Sequence, residues 1–351
     1  MQAKRRQTRQ VSVGNIKIGS DAPITVQSML NTKTTNIAAC VEQINRLRAV
    51  GCDLIRLAVP DEASAFAFGE IAKITGLPLI ADIHYNYKLA HLAIDNGAKK
   101  IRMNPGNMRD FSEIKPLATR MKDLGIPVRV GVNGGSLDPK YKGMNEIDAL
   151  CESALECANV FESCGMRDIV IAIKASDTQT MIESNRKLAN MCDYPLHLGV
   201  TEAGTLRTGL VKSSIGIGTL LQEGIGDTIR VSLSADVTEE VLAGKKLLQV
   251  LGIGGRGVDV VACPTCARTE IDVEKLANEV EIMTANIDKP LKISILGCPL
   301  NGIGEGENSD LGIAGGKERS VIMKDGKIYK TVDSAVLMQE FDKLLQEVLQ
   351  K

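Results

Sequence analysis

The sequence contains no tryptophan and few aromatic residues of any kind. Aromatics make up 3% of its 351 residues, and 42 lysines and arginines balance 43 aspartates and glutamates to leave a net charge of −1. Because proteins that bind nucleic acid usually combine a basic excess with aromatics that stack on bases, this composition excludes that class of partner. No uninterrupted apolar run approaches the ~18–20 residues of a membrane helix, so we also expect no membrane partner.

The N-terminus lacks the apolar core of a secretion signal, which predicts a cytoplasmic protein. Its basic residues Lys4, Arg5, Arg6 and Arg9 are predicted to form a solvated arm. Nine cysteines, an odd number, are spread unevenly along the chain. In a reducing cytosol cysteines are thiols, metal ligands or catalysts and rarely form disulfides, so we interpret these nine in those terms.

Residues 1–251 alternate between β-rich runs and stretches with helical spacing. The runs are 25–29, 53–59, 79–83, 99–104, 128–133, 169–175, 196–202 and 228–233. The helical stretches are 37–50, 63–75, 112–124, 146–164, 178–191 and 239–250. Alternating strands and helices indicate a parallel sheet, and eight such units predict an α/β fold of the closed (β/α)8 TIM type. An open, doubly wound sheet is the alternative.

A glycine-rich break at 252–257 predicts a linker to a second, smaller domain over 258–351. In this domain the patterns predict strands at 258–262 and 291–296 and a helix at 273–287. A hairpin is predicted from 320–323 and 328–331, followed by a closing amphipathic helix at 334–349. Such a mixture is typical of a small α+β domain of ordinary size.

Polar residues lie at or near the carboxyl ends of most predicted barrel strands, which is where barrel enzymes place their active sites. They are Arg56, Asp82, His84, Arg102, Asn104, Arg129, Asn133, Lys174, Thr201, Glu202, Arg230 and Ser232. A single arginine there would usually form a salt bridge with a neighbouring loop. Several cations on one rim instead indicate an anionic ligand, and phosphates are the commonest small anions. The barrel is therefore predicted to bind a phosphorylated metabolite.

Three cysteines of the second domain are predicted to bind a metal. Cys263 and Cys266 follow one predicted strand with two residues between them, and Cys298 follows the next. This spacing indicates zinc or an iron–sulfur cluster, although a redox-active disulfide between Cys263 and Cys266 is also possible. Zinc usually takes a fourth cysteine or histidine, and this domain contains neither. The other cysteines, predicted to be structural thiols, are Cys40, Cys52, Cys151, Cys157, Cys164 and Cys192.

Three thiolates on a four-iron cluster leave one iron open to another ligand. Glu305, Glu307 and Asp310 are all candidates by spacing, and the pattern does not choose among them. The glycines of 302–306 and 312–316 fit neither a P-loop nor a dinucleotide-binding fingerprint. We interpret them as tight turns beside the metal site.

Short motifs recur at high density along the chain. In the second domain they are Cys263-Pro-Thr-Cys266, Ile295-Leu-Gly-Cys298 and Asn301-Gly-Ile-Gly-Glu305. In the barrel they are 27–29 (Gln-Ser-Met), 102–107 (Arg-Met-Asn-Pro-Gly-Asn), 130–133 (Val-Gly-Val-Asn), 174–177 (Lys-Ala-Ser-Asp), 201–204 (Thr-Glu-Ala-Gly) and 223–227 (Glu-Gly-Ile-Gly-Asp). Together they resemble the 4-hydroxy-3-methylbut-2-enyl diphosphate synthase family in its bacterial two-domain form. One departure is Ile303, where the family usually has proline.

This resemblance implies an oxidoreductase of the methylerythritol phosphate route to isoprenoids. Its substrate would be 2-C-methyl-D-erythritol 2,4-cyclodiphosphate, whose ring is opened with loss of a hydroxyl. Two electrons would arrive through a 4Fe-4S cluster, with flavodoxin or ferredoxin as the donor. The resemblance also implies a homodimer in which the cluster domain of one chain caps the barrel of the other.

The resemblance further assigns roles to individual residues. Cys263, Cys266 and Cys298 match the family's thiolate ligands, and Glu305 matches its fourth ligand. Glu305 and Glu202 are the predicted catalytic residues. The residues that fall on the family's substrate-binding positions are Arg56, Asp82, His84, Arg102, Asn104, Arg129, Asn133, Lys174, Thr201 and Ser232. Two competing hypotheses are a non-redox barrel transferase of the pterin-binding type with a structural metal domain, and a metal-dependent binding module without catalysis.

Overall fold

The computed structural model describes residues 3–84, 86–104, 113–253, 257–285, 287 and 289–350. The chain divides into two compact units, Met1–Leu251 and Gly252–Lys351. Residues 105–107 of the motif at 102–107, and residues 254–256 of the predicted linker, lie outside the described residues. None of the described helices is long and apolar enough to span a lipid bilayer.

The first unit opens with a hairpin of β1 (Val11–Val13) and β2 (Ile16–Ile18), followed by an eight-stranded parallel sheet. The sheet strands are β3 (Thr25–Met29), β4 (Leu54–Val59), β5 (Ile80–Ile83), β6 (Lys100–Met103), β7 (Val128–Asn133), β8 (Ile169–Lys174), β9 (His197–Leu198) and β10 (Thr228–Ile229). They are arranged in the order β8-β7-β6-β5-β4-β3-β10-β9. A parallel bridge between Ile171 and Leu196 joins the two outermost strands. This closure confirms the predicted TIM-type barrel over the open sheet.

Each barrel strand is followed by a helix. These are α1 (Ile37–Ala49), α2 (Glu62–Thr75), α3 (Tyr87–Asp95), α4 (Ile114–Asp123), α5 (Glu146–Ser163), α6 (Thr178–Met191), α7 (Leu206–Gln222) and α8 (Val237–Val250). Six of them begin at an asparagine or aspartate whose side chain accepts a backbone N–H of the first turn, which satisfies a donor that the helix leaves unpaired. The sequence patterns did not predict α3 or α7, and β9 and β10 are shorter than predicted.

The N-terminal arm does not extend freely into solvent, so the prediction of a solvated arm is wrong. Arg6 donates from its guanidinium to the carbonyl oxygens of Ala189, Cys192 and Tyr194. Its neighbour Arg9 forms ion pairs with two carboxylates, at 2.8 and 2.7 Å, and lies over an aromatic ring. The arm is held because its guanidinium groups satisfy carbonyls and carboxylates at one end of the barrel.

The second unit is a five-stranded sheet with helices. Its strands are β11 (Val258–Ala262), β12 (Leu291–Leu296), β13 (Leu311–Ala314), β14 (Arg319–Lys324) and β15 (Lys327–Asp333), paired in that order. The first three are parallel and the last two complete an antiparallel meander. The helices are α9 (Val273–Thr284), α10 (Pro299–Glu305) and α11 (Leu337–Leu349). The core includes Val280, Ile293, Ile313 and Phe341.

The glycine-rich segment after Cys298 is helical, so its interpretation as tight turns is wrong. Residues 299–305 form α10, and Gly306–Asn308 continue as a 3-10 turn. A Cβ on Gly302 would lie 2.9 Å from the Cβ of Ala314. Gly312 lies within β13, where a Cβ would lie 2.5 Å from the Oγ of Ser294. These glycines therefore allow a helix and a strand to pack closely against their neighbours.

Candidate active site

Four predicted cations converge on the interior of the barrel. Arg56 lies on β4, Arg102 and Arg129 lie on the adjacent strands β6 and β7, and Lys174 ends β8. The register places Arg102 directly beside Arg129, and Asn133 beside Lys174. All four cationic side chains are buried, with exposures between 2% and 8%. Buried cations require counter-charges, because a charge withdrawn from water without a partner is costly.

Asp82 on β5 supplies one counter-charge. Its Oδ1 accepts from Nη1 of Arg102 at 3.0 Å and lies 3.5 Å from Nε2 of His84, and its Oδ2 lies 3.4 Å from Nε of Arg56. Burial by itself would raise the pKa of Asp82. Arg56, the hydrogen bond with His84 and Arg102 outweigh it and hold the pKa of this carboxyl well below its usual range. Asp82 is therefore ionised and orients the two guanidinium groups.

Glu240 supplies a second counter-charge, to Arg230. Nε and Nη2 of Arg230 donate to its two carboxylate oxygens at 3.1 and 3.0 Å. The same carboxylate accepts from the backbone N–H of Leu233 at 3.1 Å and the hydroxyl of Ser28 at 3.2 Å. Glu240 was not predicted from the sequence, because it lies on the first turns of α8 and no local pattern connects it with the barrel strands.

The barrel cations outnumber these carboxylates. Five cations, namely Arg56, Arg102, Arg129, Lys174 and Arg230, face two carboxylates, Asp82 and Glu240. Burial and the neighbouring arginines lower the pKa of Lys174 and that of Arg129 well below their usual values, and burial lowers the pKa of Arg56 to about 10. An anion of two or more charges would relieve this excess, and binding of a phosphate or diphosphate group at the rim stays a prediction.

Two glycines allow these cations to lie close to the strands. A Cβ on Gly131 of β7 would lie 3.1 Å from Nε of Arg102. A Cβ on Gly199, just after β9, would lie 2.8 Å from Nζ of Lys174 and 2.7 Å from a backbone oxygen. Any larger residue at either position would move the cation, so both glycines help to shape the rim.

The remaining predicted rim residues also lie at or beyond the strand ends. Asn104 follows β6 directly and is buried, whereas Thr201 and Ser232 are half-buried in the segments after β9 and β10. Glu202 is exposed and has a φ of +51°, a backbone conformation that residues other than glycine seldom adopt and that is often found at functional sites. Their contact with a ligand stays a prediction.

In the second unit, the first two predicted ligand cysteines along the chain differ in their environment. Cys263 follows β11, and its backbone N–H donates to the carbonyl of Ile295 at 3.1 Å. The Sγ of Cys263 accepts a hydrogen bond from the backbone N–H of Gly297, also at 3.1 Å. Cys266 is exposed, and Thr269 donates to its Sγ at 3.9 Å. Hydrogen bonds from Arg268 and from Thr269 lower the pKa of Cys266, which favours its thiolate.

Cys298, the third, lies two residues beyond β12 and caps the N-terminus of α10, with Pro299 as the first helical residue. All nine cysteines are free thiols. Among the residues that the structure describes, no three cysteine, histidine or acidic side chains lie close enough together to hold a metal ion. The donor set still suits an iron–sulfur cluster, because β11 and β12 are adjacent parallel strands and a backbone N–H already points at a sulfur. The ligand set stays a prediction.

The acidic candidates for a fourth ligand are placed differently from one another. Glu305 is the last residue of α10, Glu307 lies in the following 3-10 turn, and both are exposed. Asp310 accepts the backbone N–H of Lys292 at 2.7 Å and so joins β12 to the segment that precedes β13. Asp310 is exposed as well, but this hydrogen bond gives its carboxylate a structural role.

The other six cysteines fit the structural role predicted for them. Cys40, Cys151 and Cys157 are buried, and the other three are half-buried. Burial raises the pKa of Cys52 and that of Cys157 to about 12, so both remain protonated at neutral pH.

Comparison of the fold gives structures that superpose on part of this chain. A dihydropteroate synthase from Stenotrophomonas maltophilia superposes with a TM-score of 0.54 and 16% identity, over 70% of this chain and 100% of its own. A second, from Xanthomonas albilineans in complex with 7,8-dihydropteroate, has a TM-score of 0.52, 16% identity and coverage of 70% and 99%. At such identity the likeness concerns the fold and does not favour the pterin-type alternative.

Comparison of the sequence covers both units. The model of the GcpE TIM-barrel domain matches residues 8–245, and that of the GcpE protein C-terminal domain matches 259–347. A 4-hydroxy-3-methylbut-2-en-1-yl diphosphate synthase (flavodoxin) of Caldanaerobacter subterraneus is 50% identical over 351 residues, which is 99% of each chain. The enzyme of the same name from Clostridium tetani is 48% identical over 95% of this chain and 97% of its own. This chain therefore belongs to the GcpE family, and the two relatives named above are 4-hydroxy-3-methylbut-2-en-1-yl diphosphate synthases.

Proposed function

We propose that this chain catalyses the reductive ring opening of 2-C-methyl-D-erythritol 2,4-cyclodiphosphate to 4-hydroxy-3-methylbut-2-enyl diphosphate, a step of the methylerythritol phosphate pathway. The observation that carries the proposal is the excess of buried cations at the carboxyl ends of the barrel strands in a chain of the GcpE family. In this reaction two electrons enter, the carbon–oxygen bond to one phosphate breaks, and a hydroxyl leaves as water after protonation.

In the barrel, residues 1–251, the proposed role is to bind the cyclic diphosphate. Arg56, Arg102, Arg129 and Lys174 donate to its phosphate oxygens, and Asp82 keeps two of these guanidinium groups in position. His84, Asn104, Asn133, Thr201 and Ser232 offer polar groups around the same rim, and Glu202 offers a carboxylate for proton transfer.

The proposed role of residues 258–351 is to hold a 4Fe-4S cluster through Cys263, Cys266 and Cys298, with Glu305 as a replaceable fourth ligand. Such a cluster supplies electrons one at a time. The chain's own contribution is three thiolates, one of them stabilised by the N–H of Gly297, and a carboxylate that can hold a proton near the departing oxygen. A carboxylate is a harder ligand than the thiolates beside it and binds the iron more weakly, which suits a ligand that must be replaced.

Flavodoxin, or alternatively ferredoxin, is proposed as the electron donor, and the curated relatives carry flavodoxin in their names. We further propose a homodimer that works in the cytoplasm, where a reducing environment keeps the cysteines from forming disulfides. The test is anaerobic purification, measurement of iron and sulfide, and assay of the cyclic diphosphate with reduced flavodoxin. Brown protein that forms 4-hydroxy-3-methylbut-2-enyl diphosphate supports the proposal, whereas colourless protein without turnover contradicts it.

A further inference from the structure

The barrel interior contains a deeper pair of nitrogen-bearing side chains, on the N-terminal side of the rim cations. Lys100 lies two residues before Arg102 on β6, so its side chain has the same orientation about 6.6 Å further down the strand. His197 begins β9. Both side chains are 0% exposed. Neither residue was predicted as part of the site, because both lie away from the carboxyl ends of the strands, although Lys100 and Arg102 share the period of two that marks one face of a strand.

Among the residues that the structure describes, no carboxylate balances Lys100. Its Nζ and both ring nitrogens of His197 are without a hydrogen-bond partner among the described residues. The charges that act on Lys100 are those of Arg129 on β7 and Arg56 on β4, and together with burial they lower its pKa well below the usual value. The neighbouring strand β5 carries Asp82, whose carboxylate already contacts Arg102, Arg56 and His84.

We propose that Lys100 is a positioning residue of the diphosphate site, which strengthens diphosphate binding through its charge without touching the ligand and takes up a proton when the ligand binds. This inference rests on the proposed function, because it takes the rim above Lys100 as the place where the diphosphate lies.

The physical reason is electrostatic. In the free protein, burial and two nearby guanidinium groups favour the neutral amine at Lys100. A diphosphate on the rim brings at least two negative charges close to the same guanidinium groups and offsets their repulsion. The amine then accepts a proton from the buffer to become an ammonium ion, so ligand binding and proton uptake are linked. His197 faces the same interior and is held neutral by burial and by Arg129, Lys174, Lys100 and Arg56.

The experiment compares Lys100→Met with Lys99→Met in the anaerobic holoenzyme. Lys99 is the adjacent residue and has the same side chain as Lys100, but it is exposed to solvent, whereas Lys100 is buried. Titration calorimetry with inorganic pyrophosphate, in two buffers of different ionisation enthalpy at neutral pH, gives both affinity and proton uptake. For Lys100→Met we expect binding weakened by roughly fifteen- to thirtyfold, the effect of one charge about 8–10 Å away at an effective dielectric constant of about 20, and less proton uptake than in the wild type.

Two further readouts separate this role from a structural one. Lys100→Met removes a buried amine that has no partner among the described residues, so its melting temperature is expected to rise while its affinity falls. With the cyclic diphosphate as substrate, KM is expected to rise and kcat to stay near the wild-type value. Lys99→Met is expected to match the wild type in all of these measurements.

Each other result overturns the inference. If Lys100→Met has the affinity and proton uptake of the wild type, Lys100 does not contribute to diphosphate binding, and the proposed role of the rim cations is unaffected. A joint fall of melting temperature and affinity assigns it a structural role only, and Lys100→Leu serves as the second variant if Lys100→Met does not fold. If the wild type binds neither pyrophosphate nor the cyclic diphosphate, the proposed rim fails and the Lys100 inference fails with it.

Discussion

Gly297 donates its backbone N–H to the Sγ of Cys263 at 3.1 Å, across the ends of the adjacent strands β12 and β11. The hydrogen bond stabilises negative charge on the sulfur, as a thiolate ligand requires. Gly297 has little room for a side chain, since a Cβ would lie 2.9 Å from the Cγ2 atoms of Thr269 and Val273. The end of β12 is therefore fixed against the loop that begins at Cys263.

The cluster ligands can be tested by removing one thiol at a time. Cys263→Ser, Cys266→Ser and Cys298→Ser are each expected to yield colourless protein without iron, because two remaining thiolates retain a four-iron cluster poorly. Iron content and visible absorbance of anaerobically purified protein measure this. Cys192→Ser, a half-buried thiol that hydrogen-bonds the carbonyl of Leu188, is the control and should keep both colour and activity. Wild-type iron in Cys298→Ser would contradict the assignment.

Arg102 is expected to bind the diphosphate directly. Arg102→Met should weaken substrate binding by about 1.5–3 kcal/mol, the contribution of a hydrogen bond to a charged group, and leave the iron content unchanged. Its KM for the cyclic diphosphate measures this. Arg48→Met, an exposed arginine near the end of α1, is the matched control and should be silent. An unchanged KM in the double variant of Arg102→Met and Lys174→Met would remove the rim as the substrate site.

Glu305 is expected to transfer a proton as well as to bind iron. Glu305→Gln keeps the shape of the side chain but loses the charge and the transferable proton. We expect near-normal iron, retained substrate binding and a turnover at least ~100-fold lower, the low end for loss of a general acid. Single-turnover assays beside iron analysis measure this.

Glu307→Gln is the control for Glu305, because both carboxylates are exposed and Glu307 lies two residues further along, in the 3-10 turn. It is expected to be nearly silent. Normal turnover in Glu305→Gln together with an inactive Glu307→Gln would transfer the role to Glu307. Loss of iron from Glu305→Gln would instead make Glu305 a structural ligand and leave the proton donor unassigned.

The N-terminal arm is expected to stabilise the barrel. Arg6→Ala removes the donor shared by three carbonyl oxygens, and we expect a loss of about 2–3 kcal/mol in the free energy of unfolding. Chemical denaturation followed by circular dichroism measures this loss. Lys4→Ala, an exposed residue of the same arm, should leave the midpoint unchanged. Equal midpoints for Arg6→Ala and the wild type would show that these contacts do not contribute.

The parts of the fold that the sequence predicted well are those with a strong local pattern. Strands β3 and β7 were predicted to the residue, because β-branched residues recur in both, with Thr25 and Val26 in β3 and a valine at every second position of β7. The helices α7 and α10 were missed for a shared reason: both contain several glycines, which have low helix propensity. In α7 the cause is packing, since a Cβ on Gly209 would lie 2.4 Å from a methyl carbon of Leu233 and one on Gly216 would lie 2.7 Å from a methyl carbon of Val200.

The candidate site also contains residues that the sequence could predict and residues that it could not. The cations of the rim could be predicted because β/α alternation fixes which ends of the strands meet. Glu240 could not, because it reaches Arg230 from a helix through tertiary contacts alone. Lys100 and His197 could not be assigned a role either, because an interior charge without a partner is apparent only when the surroundings of each nitrogen are known.

The contacts of the N-terminal arm also affect how the barrel folds during synthesis. Arg5 pairs with Asp227, 222 residues later, and Arg6 contacts carbonyls between residues 189 and 194. The partners of Arg6 are synthesised only in the last quarter of the first unit, and Asp227 comes later still. Arg5 and Arg6 are synthesised well before these partners, so they are among the last residues of this unit to find their native contacts, and closure of the barrel must follow synthesis of β10. Contacts of such long sequence separation slow folding, so the nascent barrel remains exposed to chaperones and proteases for most of its translation.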